Sequence, residues 1–196
     1  MRNPEVTKDI ILQEAGALFN THGYKATSIS NITDATGFTK GAIYRHFRSK
    51  DELERETLHY LSTVMFQKVG DVIRLQPTAG TKLRAMIGFF ESYLNNPPLR
   101  GGCPLLNVAI EADDAHPPLR EEANKILKML KDSMMHVLAK GIEYRQIRED
   151  IDKEYYATIF IASLEGAIMM SKLRGNNDDM KMVVKHLEQQ ISAIEL

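Results

Sequence analysis

The 196-residue sequence has a single cysteine, Cys103, which excludes an intramolecular disulfide framework and fits a reducing compartment. No stretch reaches the roughly 18 uninterrupted apolar residues of a membrane-crossing helix. The opening MRNPEVTKDI lacks the apolar run of a secretory signal. A cytoplasmic protein with no membrane partner is therefore expected. Internal repeats and low-complexity tracts are missing, and strict apolar–polar alternation is almost absent, which argues against strands. There is no His-Glu-x-x-His pair, Gly-rich phosphate loop or serine elbow, so neither catalysis nor a cofactor is expected. One loop crowds Glu111, Asp113, Asp114 and His116, whose side chains suit a metal. Acid-rich helix ends before a Pro-Pro pair are ordinarily solvated caps, and no metal is expected there.

What is present is ordinary material for a folded core: 43% hydrophobic and 26% charged residues. The length allows one large domain, or a medium domain with a small one. Net charge is −1, but it is unevenly spread. Through Lys50 there are seven Lys/Arg against four Asp/Glu, a surplus of three, which leaves −4 for the remainder. A polyanion would meet the basic front, although a solvated N-terminal face gives the same bias.

Helical periodicity recurs along the chain. Ile11, Ala15, Leu18 and Phe19 share one face of a helix from about 7 to 22, stopped by Gly23. Thr27-Ser28 caps a short helix with Ile29, Ile32 and Ala35 inward, ended by Gly37. Thr39 opens another, KGAIYRHF, with Ile43 and Phe47 inward and Phe38 just before it. Ser49-Lys50-Asp51-Glu52 has the capping-box form and starts a long helix from about 50 to 74. Further helices are expected at about 79–95, 104–112, 117–141, 152–173 and 178–195. The fold class is all-α with about nine helices. Residues 1–50 form a small three-helix module and residues 51–196 a larger helical domain. The first three helices bury too little to stand alone and should dock on the long helix after Ser49.

A helix, a Gly-containing turn (TGFT) and a second helix make a helix-turn-helix. With Ile43 and Phe47 inward, the second helix turns Lys40, Gly41, Tyr44 and Arg45 outward. A recognition helix needs this layout, because its first residues enter the major groove. Gly41 lets backbone come close. Lys40 and Lys50 supply charge, Tyr44 and His46 can donate to phosphate oxygens, and Thr27 or Ser28 can do so from the preceding helix. The plainer reading keeps Tyr44 as a core ring with a surface hydroxyl and His46 as structural.

The run LFNTHGYKATSISNITDATGFTKGAIYRHFRSKDEL closely resembles the N-terminal domain of TetR-type transcriptional regulators. The matching positions are Gly23-Tyr24, Thr27-Ser28-Ile29, Ile32, Ala35-Thr36-Gly37, Lys40-Gly41, Ile43-Tyr44, His46-Phe47 and Ser49 through Leu53. About a quarter of the chain is covered, at many fixed spacings. The resemblance implies that Tyr44, His46 and Lys50 meet the DNA backbone, while Thr39, Lys40 and Ala42 lie nearer the bases. It also implies an all-α ligand-binding and dimerisation domain, a double-stranded DNA operator of near-palindromic sequence, and most often repression.

In the penultimate helix Tyr156, Ile159, Phe160, Ser163, Ala167 and Met170 form one stripe, with Ile161, Leu164, Ile168 and Met169 on other sides. A helix apolar around most of its circumference must be covered on more than one face. The last helix repeats the pattern with Val183, Val184, Leu187 and Ile191. Either both helices complete the monomer core, or they build the four-helix homodimer interface that the resemblance implies. A small-molecule effector is expected among Met65, Phe89, Phe90, Tyr93, Cys103, Leu106, Asn107, Glu111, Met134, Phe160 and Met169, an adaptable, largely apolar set. Any one of these is as readily ordinary core. Asn107 and Glu111, four apart on one helix face, either orient a ligand or cap a neighbouring helix end. Cys103 is a sensor thiol only in a minor reading, since no second cysteine stands ready.

Overall fold

The computed structural model describes residues 3–93, 95–112 and 116–196. Among these residues there are nine helices: α1 (Pro4–His22), α2 (Ile29–Thr36), α3 (Lys40–Tyr44), α4 (Lys50–Arg74), α5 (Ala79–Glu91), α6 (Pro104–Ala112), α7 (Pro117–Glu143), α8 (Lys153–Arg174) and α9 (Asp178–Ile194). The one β feature described is an isolated antiparallel bridge between Ile147 and Glu195. The all-α expectation holds, and several boundaries move for local reasons. Helix α1 starts earlier, because the Asn3 side chain accepts from Glu5 N–H and Pro4 fits the first turn. Helix α5 stops short of residue 95, where Tyr93 N–H turns back to the Phe90 carbonyl and Asn96 N–H to that of Ser92. Helix α3 ends at Tyr44, so His46 and Phe47 lie beyond the helix in which they were expected. The His46 and Phe47 amides both return to the Ile43 carbonyl, closing a tight turn.

The chain divides into two compact units, Met1–Met65 with Leu99–Ile126, and Phe66–Pro98 with Leu127–Leu196. This compact division does not follow the sequence boundary at residue 50. In the first unit α1 packs on α4: a Cβ at Gly16 would press on Leu61, and Lys8 pairs with Glu56 at 2.5 Å. The expected docking on α4 is thus seen for α1, while α2 packs on α1 and α3 on α2. Ile11, Phe19, Tyr24, Ile32, Ile43, Phe47, Leu53 and Leu58 form the core, with Tyr24 stacked on Phe19 at 4.8 Å. Helix α6 adds itself against α1. Asn20 donates to the carbonyls of Arg100 (2.7 Å) and Gly102 (2.8 Å), and Asn107 donates to Asn20 O (3.1 Å) and Oδ1 (2.9 Å). Gly101 sits between them at φ +97°, and a Cβ there would overlap the Asn20 carbonyl. Ala35, expected inward, is exposed, while Ile29 and Phe38 are half-buried. A short α2 needs only Ile32 to hold its inner face.

In the second unit α8 and α9 pack together and α5 lies against α9. Helix α8 is capped by Asp152, which accepts from Glu154 and Tyr155 N–H, and ends at Gly175. It is the one described helix long and apolar enough to cross a membrane by length and composition alone. Its Ala157, Phe160, Leu164, Ala167 and Ile168 are buried in this core. The C-terminus is fastened by Arg84, whose guanidinium grips both Glu195 oxygens at 2.7 and 2.6 Å. That hydrogen bond holds the Glu195 carboxyl below its ordinary value of 4.5. A depressed carboxyl contributes stability above its ordinary value and loses it as pH falls through the lowered one. Both side chains keep roughly a third of their surface in water. The contribution is therefore below about 1 kcal/mol. Glu195→Gln should lower Tm at pH 7 by no more than about 3 °C, with the gap from wild type closing in thermal scans taken below pH 4.5.

Candidate nucleic-acid interface

The helix-turn-helix is assembled by its caps. Ser28 and Asn31 form a reciprocal capping box that starts α2, with Asn31 N–H to Ser28 Oγ at 3.2 Å and Ser28 N–H to Asn31 Oδ1 at 2.8 Å. Gly37 ends it in the left-handed region at φ +68°, where an L side chain is strained. Thr39 then accepts from Ala42 N–H at 3.2 Å and starts α3. Beyond α3, Ser49 Oγ accepts from Glu52 N–H at 3.1 Å, while the Glu52 carboxylate takes Arg48 N–H at 2.5 Å. The return arm of this capping box is thus shifted by one residue from the expected form.

These caps fix what α3 presents. Ile43 and Phe47 are buried, whereas Thr39, Lys40, Gly41, Tyr44 and Arg45 are exposed and Ala42 and His46 half-buried. Tyr44 is 40% exposed, so its ring is not core. The Lys40 ammonium lies 5.9 Å from the centre of that ring, a cation–π contact that keeps both groups on the outer face. Among the described residues Lys40 and Arg45 make no ion pair, nor do Lys25 and Arg48. Lys8 and Lys125, in the same unit, are paired with glutamates. Unpaired exposed cations around an otherwise satisfied helix pair are what a polyanion needs. Lys25 and Arg48 were missed as candidates, because only their charge, and no periodicity, sets them apart in the sequence.

Two expected contacts sit differently. Thr27 is 2% exposed and its hydroxyl donates to the Gly23 carbonyl at 2.7 Å. It braces the α1–α2 corner and does not face outward, a correction to its expected phosphate contact. Ser28 remains exposed beside it. Lys50 is turned inward: its ammonium donates to Tyr24 O at 2.8 Å and lies 3.2 Å from Glu54 Oε1. Glu54 is buried, and its other oxygen is 2.9 Å from His116 Nε2. Burial, and then the Glu54 and Glu111 carboxylates, push the Tyr24 phenol well above its ordinary value, so it stays a neutral hydroxyl.

Asp51, Glu54 and His116 bring ligating atoms within 4.8 Å of one another. The Leu119 N–H donates to His116 Nδ1 at 3.3 Å. With Nδ1 accepting that bond, Nε2 is the nitrogen that carries a proton towards Glu54, which suits a hydrogen-bonding network better than metal ligation. Asp113 and Asp114 lie outside the described residues.

The expected effector residues are divided between the two units. Asn107 and Glu111 bind protein: Asn107 covers Asn20 O near the end of α1, and Glu111 accepts from Lys25 N–H at 3.1 Å. Asn107 thus fits the capping reading, while Glu111 holds the turn that follows α1. Cys103 is buried, and Met65 and Leu106 are half-buried in the same unit. In the second unit Phe90 and Tyr93 are buried and stack at 5.7 Å, with the half-buried Phe89 edge-on to both. Met134 and Phe160 are core residues there. Met169 is exposed, which corrects its expected place in a cavity. A cleft of about 630 Å³ in the first unit is lined by Leu12, Glu52, Arg55, Glu56, His59 and Tyr60, none of them an expected effector residue.

The expected dimer stripe is also resolved by burial. Phe160, Ala167, Val184, Leu187 and Ile191 are buried within the second unit, and Tyr156, Ile159, Ser163, Met170 and Val183 are half-buried. The large apolar residues of α8 that are exposed are Tyr155, Met169 and Leu173, with Ala162 on the same side, one helical step from the expected stripe. Met182 of α9 is exposed as well.

Residues 11–57 match the profile described as "Bacterial regulatory proteins, tetR family", and residues 79–187 that described as "Tetracyclin repressor-like, C-terminal domain". A TetR transcriptional regulator from Chloroflexus aurantiacus has the same fold at TM-score 0.94, with 34% identity over 100% of both chains. A TetR-family regulator from Cytophaga hutchinsonii matches at TM-score 0.90 and 30% identity, covering 100% of this chain and 98% of its own. The HTH-type transcriptional repressor DhaR of a Mycobacterium species is 23% identical, over 87% of this chain and 84% of its own. The capped helix pair, its unpaired cations and these likenesses agree, and the chain belongs to the TetR family of helix-turn-helix transcriptional regulators.

Proposed function

We propose that this protein is a cytoplasmic, homodimeric repressor that holds a near-palindromic DNA operator and leaves it when a small molecule binds its C-terminal helical domain. The observation that carries the DNA reading is the outward face of α3, where Lys40, Tyr44 and Arg45 stand exposed with no anionic partner among the described residues. Residues 1–50 form the DNA-binding module in this reading, and residues 51–196 serve dimerisation and ligand binding. Thr39, Lys40 and Ala42 approach bases, while Ser28, Tyr44, Arg45 and His46 meet phosphates. Two copies reach successive major grooves when their recognition helices stand roughly 34–36 Å apart. A ligand that favours another spacing releases DNA by population shift. The Phe89–Phe90–Tyr93 cluster supports an aromatic-lined ligand site in the second unit.

A mobility-shift assay with DNA from upstream of its own gene tests the reading. Binding should be specific and fall steeply with salt. Lys40→Ala should weaken it by roughly tenfold and relax base preference at one position, while Tyr44→Phe should weaken all sequences alike by a few-fold. Absence of any specific complex, with that DNA or a genomic library at low salt, would sink the proposal. Thermal-shift screening against small apolar compounds addresses the effector.

A further inference from the structure

Glu54 stands at the centre of a network in which Lys50 and His116 share one carboxylate. Its side chain is 3% exposed, and it is held by Lys50 on Oε1 and faced by His116 on Oε2. A buried carboxylate is costly without partners, so this one holds both of its neighbours firmly. Lys50 has three N–H donors. One goes to Tyr24 O and one side of the ammonium faces Glu54, while the amine keeps partial contact with solvent. Lys50 is also a residue that the resemblance to TetR-type regulators places against the DNA backbone, and a lysine drawn onto phosphate must loosen its hold on Glu54. What Glu54 then retains is His116, just before α7, whose Nε2 also has Asp51 Oδ1 3.7 Å away.

We propose that Glu54 withholds Lys50 from DNA, and that His116 sets how firmly it does so. This inference rests on the reading of Lys50 as a phosphate contact. When His116 shares the carboxylate, Lys50 is released more easily. When the start of α7 carries His116 away, Glu54 falls to Lys50 alone and the lysine is retained. His116 and Glu54 are thus positioning residues, acting on DNA only through Lys50. The geometry makes the separation between the start of α7 and the first turn of α4 a determinant of DNA affinity.

The test is a set of double-mutant cycles on the full-length protein, using a fluorescein-labelled duplex selected from a random library by the wild type. Anisotropy titrations run between about 50 and 200 mM KCl, where each phosphate contact adds about 0.9 to the salt slope. Glu54→Gln keeps the shape of the side chain and removes its charge. It should tighten binding roughly fivefold and steepen the slope by about two for a dimer, one phosphate contact per subunit. His116→Asn keeps a cap for Leu119 N–H but cannot reach Glu54, and should weaken binding roughly threefold by leaving Lys50 tethered. In a Lys50→Gln background both effects should vanish. Thermal midpoints report folding, and if Glu54→Gln does not fold, the His116→Asn cycle decides alone. Equal shifts in the Lys50 and Lys50→Gln backgrounds would mean simple charge or structural effects, and overturn the inference. If Lys50→Gln changes nothing even alongside Glu54→Gln, Lys50 meets no phosphate, and that reading fails together with the inference.

Discussion

Phe47→Ala is expected to destabilise the first unit by about 3–5 kcal/mol and to abolish DNA binding. Phe47 is 1% exposed, and the Lys8 ammonium lies 5.5 Å from the centre of its ring. Its amide bonds to the Ile43 carbonyl, so the turn that ends α3 closes directly onto this ring. Helix α3 has five residues, too few to persist by its own hydrogen bonds. It keeps its orientation because Ile43 and Phe47 are both sunk in the core. Removing the larger anchor leaves a cavity between helices that are themselves short, and total domain stability is only about 5–15 kcal/mol. Urea unfolding should show the loss as a lower midpoint, and the amides of α2 and α3 should exchange faster than those of α5 and α9. The contrast is Tyr44→Ala, which removes a partly solvated ring. It should leave the urea midpoint almost unchanged while weakening DNA binding. A Phe47→Ala protein with wild-type midpoint and DNA affinity would refute the view that Phe47 anchors the recognition helix.

The elements most legible in the sequence are those fixed by neighbours within a few residues. Ser28, Gly37 and Thr39 each act on amides or dihedrals at most three positions away, and the helix-turn-helix was readable from them. Ile32, Ile43 and Phe47 likewise declare themselves by spacing. What stayed hidden depends on chain segments far apart. Thr27 looks like a surface cap partner in sequence, yet the turn of backbone at Gly23 draws its hydroxyl inward. Lys50 looks like a free cation until Tyr24 and Glu54 are seen around it. Asn107 and Glu111 look like polar lining in an apolar helix. Their partners, Asn20 and Lys25, lie 87 and 86 residues away. Periodicity has no access to such pairings. For the same reason α6 and the start of α7 could not be assigned to the N-terminal helices from sequence alone.

Which face of α8 is left exposed was hidden for a subtler reason, and it sets the second large prediction. A helix with apolar residues on most of its surface has a weak preference for any one face, so the stripe through Tyr156, Phe160 and Ala167 and the one through Tyr155, Met169 and Leu173 are equally plausible in sequence. Burial separates them: Phe160 and Ala167 of the first lie in the core of the second unit, while Leu173 remains 80% exposed. If α8 and α9 pair with a second copy, the exposed residues are the contact, with Ala162 and Gly166 allowing close approach. Met169→Glu with Leu173→Glu then places two carboxylates in each half of a desolvated interface, where an unpaired charge costs several kcal/mol. Because both side chains are solvent-exposed in the monomer, its fold and Tm should change little. Sedimentation should show a monomer at micromolar concentration. Operator affinity should fall by roughly 10²–10⁴-fold, since linking two recognition helices raises binding by that order over one alone. The corresponding double change at buried positions, Phe160→Glu with Ala167→Glu, should instead unfold the second unit. A Met169→Glu, Leu173→Glu protein that remains dimeric would put the interface on another face of the helices.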